Sequence, residues 1–384
     1  MSTATSTRLE RLRERTRGYT VTPAQYVRFA YVALGALTLI VMTGAAVRLS
    51  GSGLGCPTWP KCYGNIYPPL RTHAIIEFSN RVVTVPVCIA AGMAWLAAVR
   101  RRPYRRDLVW LGALLPLGVI AQAVLGGLTV RGKLDYGWVM GHFALSMLIL
   151  LAALVLVWRA RHEPAGDAEV GDRGQVGRQV EVRSQARSRT GDRPAGVIGG
   201  TARRWRALFV PLRPDDGEGD AGTDPAIVKG ARWLVALGAL TIFAGTAATA
   251  AGPHAGGESG QKINRLSFDG RGTMDFVIHR HAEIAFVFGL AAVALWWLAR
   301  RRPATPMVRR SLTVVCVLLA LQGAVGLDQY ETHLPTELVW VHVTLACACW
   351  LSVLWAACAA GRLAPRTAPE SEERHEAQIV RISA

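Results

Sequence analysis

The chain has 384 residues, 51% of them hydrophobic, yet it carries a formal net charge of +17. Apolar and basic residues must therefore be segregated along the chain, the composition of a membrane protein. The charge does not require a nucleic-acid partner, because a basic surface facing anionic membrane lipid accounts for it.

A polar leader (1–27) carries Arg8, Arg11, Arg13, Arg15 and Arg17. Eight apolar stretches follow, near 28–49, 75–99, 108–130, 137–158, 231–251, 276–299, 311–328 and 337–360. Each is about 20 residues, enough to cross the hydrocarbon core as a helix. A span that must satisfy its own backbone polar groups predicts a helical bundle, not a barrel. The first span follows a basic leader without a small-residue cleavage site and reads as an anchor. Between the fourth and fifth spans, 159–230 is rich in Arg, Gly, Asp and Ser, and reads as a flexible basic linker with a short amphipathic piece around Trp205–Phe209. It divides an N-terminal four-helix half (28–158) from a C-terminal one (231–360), and a polar tail (361–384) closes the chain. The leader, the 100–106 and 300–310 turns and the linker are strongly basic; 50–73, 131–136, 252–275 and 328–336 are much less so. The positive-inside rule puts both termini in the cytoplasm of a multi-pass cell-membrane protein.

The halves repeat one signature about 200 residues apart. Gln122, Gly126, Leu134, Val139 and His142 recur as Gln322, Gly326, Leu334, Val339 and His342. Arg100, Arg101, Arg102 and Pro103 recur as Arg300, Arg301, Arg302 and Pro303. A match of this length at a fixed offset indicates a duplicated unit.

Candidate chemistry lies at the outer ends of the spans. Cys56 and Cys62 share an outer loop on the oxidising side, where a disulfide is favoured over a metal site. The corresponding second-half loop has no cysteine, so this staple is not a demand of the shared fold. His73, His142, His279, His281 and His342 lie in or beside spans, where an ionisable group is costly and points to function. Two imidazoles on facing helices can clamp a haem iron. His342 would pair with a histidine of the sixth span. His279 precedes an arginine as Asn80 precedes Arg81, and is preferred over His281, which a strict 200-residue offset would align with Arg81. His73, Glu77, Asn80 and Arg81 share one helical face. Glu77 can pair with Arg81 or Arg48, and the strict offset puts Val277 opposite it. Arg48, Arg81 and Arg131 can bind carboxylates such as haem propionates, or simply snorkel.

The chain resembles haem A synthases, membrane enzymes that convert haem O to haem A for cytochrome oxidase. The resemblance rests on Gly44 to Arg48, Ser50 to Cys62, Ile76-Glu77 with Asn80-Arg81, Gly126 to Arg131 leading to His142, Ala251 to His254, His279-Arg280, and Leu334-Pro335 leading to His342. It implies an all-α integral membrane protein of two pseudo-symmetric four-helix bundles. It implies a haem b cofactor on His279 and His342, and a haem O substrate site with His142 as ligand and Glu77 as catalytic carboxylate. It also implies an outer-loop pair, Cys56 and Cys62, and functional links to haem O synthase and cytochrome oxidase assembly. The implied reaction oxidises a ring methyl to a formyl by successive hydroxylations. The chain departs from the family pattern at Asn80, where that pattern has histidine. A neutral amide is a poor iron ligand, so His142 is expected to hold the substrate iron alone. Asn80 would then hydrogen-bond water or substrate, with His73 as an imperfect substitute ligand. A membrane b-type cytochrome would share the histidines without needing Glu77. A transporter built from parallel repeats is the third reading.

Overall fold

The computed structural model of the protein describes residues 18–162, 222–258, 261–268 and 272–361; the Trp205–Phe209 piece lies outside them. Eight helices are described: α1 (Pro23–Leu49), α2 (Thr72–Arg100), α3 (Arg106–Arg131), α4 (Tyr136–Arg161), α5 (Pro225–Ala251), α6 (Thr273–Arg301), α7 (Pro306–Glu331) and α8 (Thr336–Ala360). All eight are long and apolar enough to cross a membrane. Their outward faces carry residues such as Leu148, Trp233, Phe286 and Leu327, each more than half exposed. Such a surface suits lipid, because hydrocarbon tails solvate it as well as a core would.

The apolar runs set the helices; caps and prolines set their ends. Thr22 accepts from Gln25 N at 3.3 Å while Gln25 Oε1 accepts from Thr22 N at 2.9 Å, a reciprocal cap that starts α1 before the predicted leader ends. Asp224 caps α5 through Ala226 N at 2.7 Å, with Pro225 next to it. The linker boundaries therefore move inward: 159–161 complete α4 and 225–230 open α5. Arg159 and Arg161 end α4 without breaking it, since cations suit the negative end of the helix dipole.

Helices α1–α4 pack as one four-helix bundle and α5–α8 as a second, joined where α4 and α8 cross, with α1 and α5 alongside. The matched helices have nearly equal lengths: 27 and 27 residues, 29 and 29, 26 and 26, 26 and 25. Small residues allow close approach within each bundle. Ala91, Ala94 and Ala98 are wholly buried on α2, and a Cβ on Gly112 of α3 would lie 3.2 Å from Trp95 Cα. Between bundles, Trp350 donates to Met147 O and Trp340 to Met42 O, both at 3.1 Å. Buried indole N–H groups thus gain partners on the opposite half.

The α3–α4 and α7–α8 connections adopt the same turn. Lys133 and Leu134 have φ of 53° and 59°, and His333 and Leu334 have 64° and 61°. Leu134 N donates to Thr129 O at 2.9 Å, and Leu334 N to Gln329 O at 2.7 Å. Four non-glycine residues in the left-handed region are held because the turn satisfies the exposed end of the preceding helix. The repeated leucine of the signature belongs to this turn.

At the opposite, arginine-rich end, Asp107 pairs with Arg105 at 2.7 Å and Arg159 at 3.1 Å. Arg105 also donates to Arg159 O at 2.9 Å and His162 O at 2.7 Å, tying α3 to α4. Removing the carboxylate from buried guanidinium groups is costly. Asp107→Ala is expected to destabilise the protein by ~3 kcal/mol, seen as an earlier thermal transition in detergent. An unchanged transition would mean that the carboxylate contributes nothing to the α3–α4 contact.

Candidate functional site

Four polar side chains enter the bundles opposite glycines. On α4, His142 lies against Gly126 of α3, where an added Cβ would come within 3.4 Å of Cε1. On α8, His342 repeats this against Gly326 of α7, at 3.1 Å. Gln122 Nε2 donates to His142 O at 3.0 Å, and Gln322 Nε2 to His342 O at 3.1 Å. The duplicated Gln–Gly–His signature is therefore a packing device. Glutamine ties the helices, and glycine one turn further on admits the imidazole.

The third such pair of helices, α5 and α6, turns inward a different histidine from the one the sequence favoured. His281 of α6, not His279, comes against His342: their ring centres are 6.3 Å apart and their planes at 78°. His281 lies against Gly245 of α5, where a Cβ would be 3.1 Å from Cε1, and its Nδ1 is 3.1 Å from Thr241 O. His279 is exposed, with Nδ1 2.7 Å from Asp275 O and its ring 6.3 Å from Tyr330. Two residues turn a helix by about 200°, so only one of the two histidines can face inward. The signal was present in glycine spacing: Gly44 to Asn80 and Gly245 to His281 are both 36 residues, as Gly126 to His142 and Gly326 to His342 are both 16. Helix α2 begins at 72 and α6 at 273, a shift of 201, which makes His281 the counterpart of Asn80 and Ile278, not Val277, the counterpart of Glu77.

Asn80 occupies the matching place in the first half. Its Oδ1 accepts from Thr43 Oγ at 2.7 Å, which directs Nδ2 as the free donor; Gly44 lies next to it, with an ideal Cβ 4.0 Å from Nδ2. The two halves thus offer three imidazoles and one carboxamide.

Above the first bundle, a disulfide joins Cys56 and Cys62, both wholly buried. Glu77 is buried beneath this loop: Oε2 accepts from Cys56 N at 2.7 Å, and Oε1 pairs with Arg81 Nη2 at 2.5 Å. Arg81 in turn donates to Cys56 O at 3.1 Å and to Thr58 O and Pro60 O at 3.2 Å. Trp59 lies on Gly127 of α3, whose added Cβ would meet the indole at 2.8 Å. His73 joins the same end through Ser52 Oγ at 3.0 Å. His73, Glu77 and Arg81 therefore hold a roof over the bundle, while Asn80, about one turn below Glu77 on α2, is turned to α1 through Thr43.

Of the three arginines considered for carboxylates, Arg48 bridges the halves, donating to His254 O at 3.0 Å and Thr249 O at 3.2 Å. Gly53 N also reaches Gly256 O at 2.7 Å. Arg81 is engaged with the roof, and Arg131 is exposed at the end of α3.

This arrangement accompanies clear sequence kinship. Residues 27–75 and 70–185 match the COX15-CtaA profile, described as cytochrome oxidase assembly protein. Relatives named haem A synthase include those of Lysinibacillus sphaericus, 35% identical over 33% of this chain and 42% of that protein, and Geobacillus kaustophilus, 34% identical over 35% and 44%. The match therefore spans less than half the length of these relatives. A protohaem IX farnesyltransferase of Thermus thermophilus is 24% identical over 88% of this chain, but over only 49% of its own length. Residues 27–185 are thus similar to the COX15-CtaA cytochrome oxidase assembly proteins and to relatives named haem A synthase.

Proposed function

We propose that the protein is an oxidoreductase of the haem A synthase type, in which the first half binds haem O and the second half holds a haem b that conducts electrons. The observation that carries this reading is the His281–His342 pair, whose ring centres stand 6.3 Å apart. A metal–imidazole bond is about 2 Å. Adding roughly 1 Å from nitrogen to each ring centre, two imidazoles on opposite faces of one iron would have centres about 6 Å apart. The donors fit in kind as well as spacing. With Nδ1–H donating to Thr241 O, His281 would present its Nε2 lone pair, the usual second-partner arrangement of a metal-bound histidine. Haem b held on both faces would supply an electron-transfer centre without an open iron position.

In the first half, His142 supplies one imidazole for the substrate haem, and Asn80 faces the site with an amide donor. Asparagine in place of a second histidine leaves one iron face without a protein ligand, the asymmetry expected between a substrate site and an electron-transfer site. Turning the ring methyl into CH2OH with water as oxygen source releases two protons and two electrons; Glu77 would take up a proton, and haem b would carry the electrons one at a time to an external electron acceptor. The roof of Cys56, Trp59 and Cys62 closes the site above. Arg131 is the propionate candidate with an exposed guanidinium. His73 acts through the roof, not as a ligand.

The arginine-rich end faces the cytoplasm, with both termini, and the disulfide end faces the oxidising side of the cell membrane. The Thermus relative named for farnesyl transfer is in keeping with a substrate passed on by haem O synthase.

Expression with a source of haem O, followed by haem extraction and chromatography, is expected to yield haem A. Glu77→Gln, which keeps an acceptor for Cys56 N–H but cannot take the proton, is expected to lose haem A while retaining haem b. Normal haem A in that variant would confine Glu77 to holding the roof; haem b without any oxidised haem in the wild type would make the protein a b-type cytochrome. Separately, His281→Ala and His342→Ala are each expected to abolish the bis-imidazole haem b spectrum, and His279→Ala to leave it intact. Loss of the spectrum in His279→Ala alone would return the ligand to that residue.

A further inference from the structure

The histidines on α4 and α8 share a feature that His281 lacks. His281 Nδ1 lies beside a backbone carbonyl, whereas Nδ1 of His142 and Nδ1 of His342 are buried without a hydrogen-bond partner. In the same two places, Gln122 Oε1 and Gln322 Oε1 are buried acceptors without a donor. Buried polar atoms left unpaired cost free energy, and a matched donor and acceptor in both copies of a duplication call for a common explanation.

Both atoms of each pair belong to the same helix–helix contact, although they are not hydrogen-bonded to one another. Gln322 already donates through Nε2 to His342 O at 3.1 Å, so its carboxamide is anchored on the histidine's own backbone. Gly326, one turn further along α7, has an ideal Cβ 3.5 Å from His342 Nδ1, so that nitrogen faces α7. The first half repeats the geometry, with Gln122 Nε2 3.0 Å from His142 O and the Gly126 Cβ 3.9 Å from His142 Nδ1. Gln122 Nε2 is also 2.7 Å from Ser146 Oγ, where the second half has Ala346.

We infer that Gln322 is a positioning residue for the haem b ligand: when His342 Nε2 binds iron, His342 Nδ1–H donates to Gln322 Oε1. Gln122 does the same for His142. A metal-bound imidazole must carry its remaining proton on the other nitrogen, and an acceptor there fixes both tautomer and ring orientation and raises ligand basicity. This rests on the haem b reading above. The carboxamide is suited to two tasks, because its nitrogen secures the α8 backbone and its oxygen the ring.

The test separates the two tasks by using variants of the full, haem-loaded protein, read by haem retention and by redox titration of haem b. Gln322→Leu removes donor and acceptor and is expected to weaken haem b retention about 10–100-fold. Gln322→Glu removes the amide donor but keeps a stronger acceptor. It is expected to retain haem b and to shift its midpoint potential to more negative values, because a more basic imidazole favours the oxidised iron. Equal haem loss in both variants, or a Glu variant with wild-type potential, would overturn the assignment and leave Gln322 only as a helix tie. A wild-type protein without a bis-imidazole spectrum would instead overturn the haem b reading, and this assignment with it.

Discussion

An imidazole can enter a helical bundle only where the facing helix makes room for it, and here the room is glycine. Gly245 and Gly326 lie so close to a histidine ring that a methyl group would be crowded against it, and Gly126 lies in contact with the His142 ring. At Gly44 the neighbour is the shorter Asn80, and the contact is looser. Four glycines thus lie beside the inward residues of α2, α4, α6 and α8, most tightly at Gly245 and Gly326. Hydrogen bonds then hold what the glycines admit: glutamines to the histidine backbones, Thr241 O beside His281, and Thr43 to Asn80. Because these contacts use helix surfaces shared by both halves, duplication reproduced the pocket walls while leaving the inward residue free to change.

The halves differ most at their loop ends. The first carries a disulfide roof, anchored by Glu77 and Arg81 and seated on α3 through Trp59. The second has neither the cysteines nor the carboxylate, and its 252–258 segment instead meets the first half through Arg48 and Gly53. Arg48 reaches Thr249 and His254 across that boundary, so a residue that sequence suggested for an anionic ligand also serves to join the bundles. One half is consequently covered and chemically distinct, and the other brings two histidines together. That division fits a substrate site coupled to an electron-transfer site.

The eight helices, their grouping in fours and the His142–His342 correspondence were legible from hydropathy and from the repeated signature, because burial and duplication both leave periodic marks on sequence. The partner of His342 was not. The His279-Arg280 dipeptide imitates Asn80-Arg81, but Arg280 faces outward and pairs with Glu283 at 2.5 Å. The register of α6 is shifted by 201 residues relative to α2, and the turn after α6 is one residue shorter than that after α2, restoring the 200-residue shift by α7. One residue in a loop changes a helix face by about 100°, and a constant offset cannot detect it. The double engagement of Glu77 was likewise only half visible: its i,i+4 pair with Arg81 follows from spacing, whereas its bond to Cys56 N depends on how the loop folds back.

The central claim is that duplication produced one bis-imidazole site and one single-imidazole site. Electron paramagnetic resonance of the oxidised protein, loaded with haem b and haem O and with total iron quantified, tests it most directly. One low-spin bis-imidazole iron per chain, lost in His281→Ala while a second haem remains bound, is the predicted result. Two equivalent low-spin irons per chain, or a bis-imidazole signal untouched by that substitution, would contradict it.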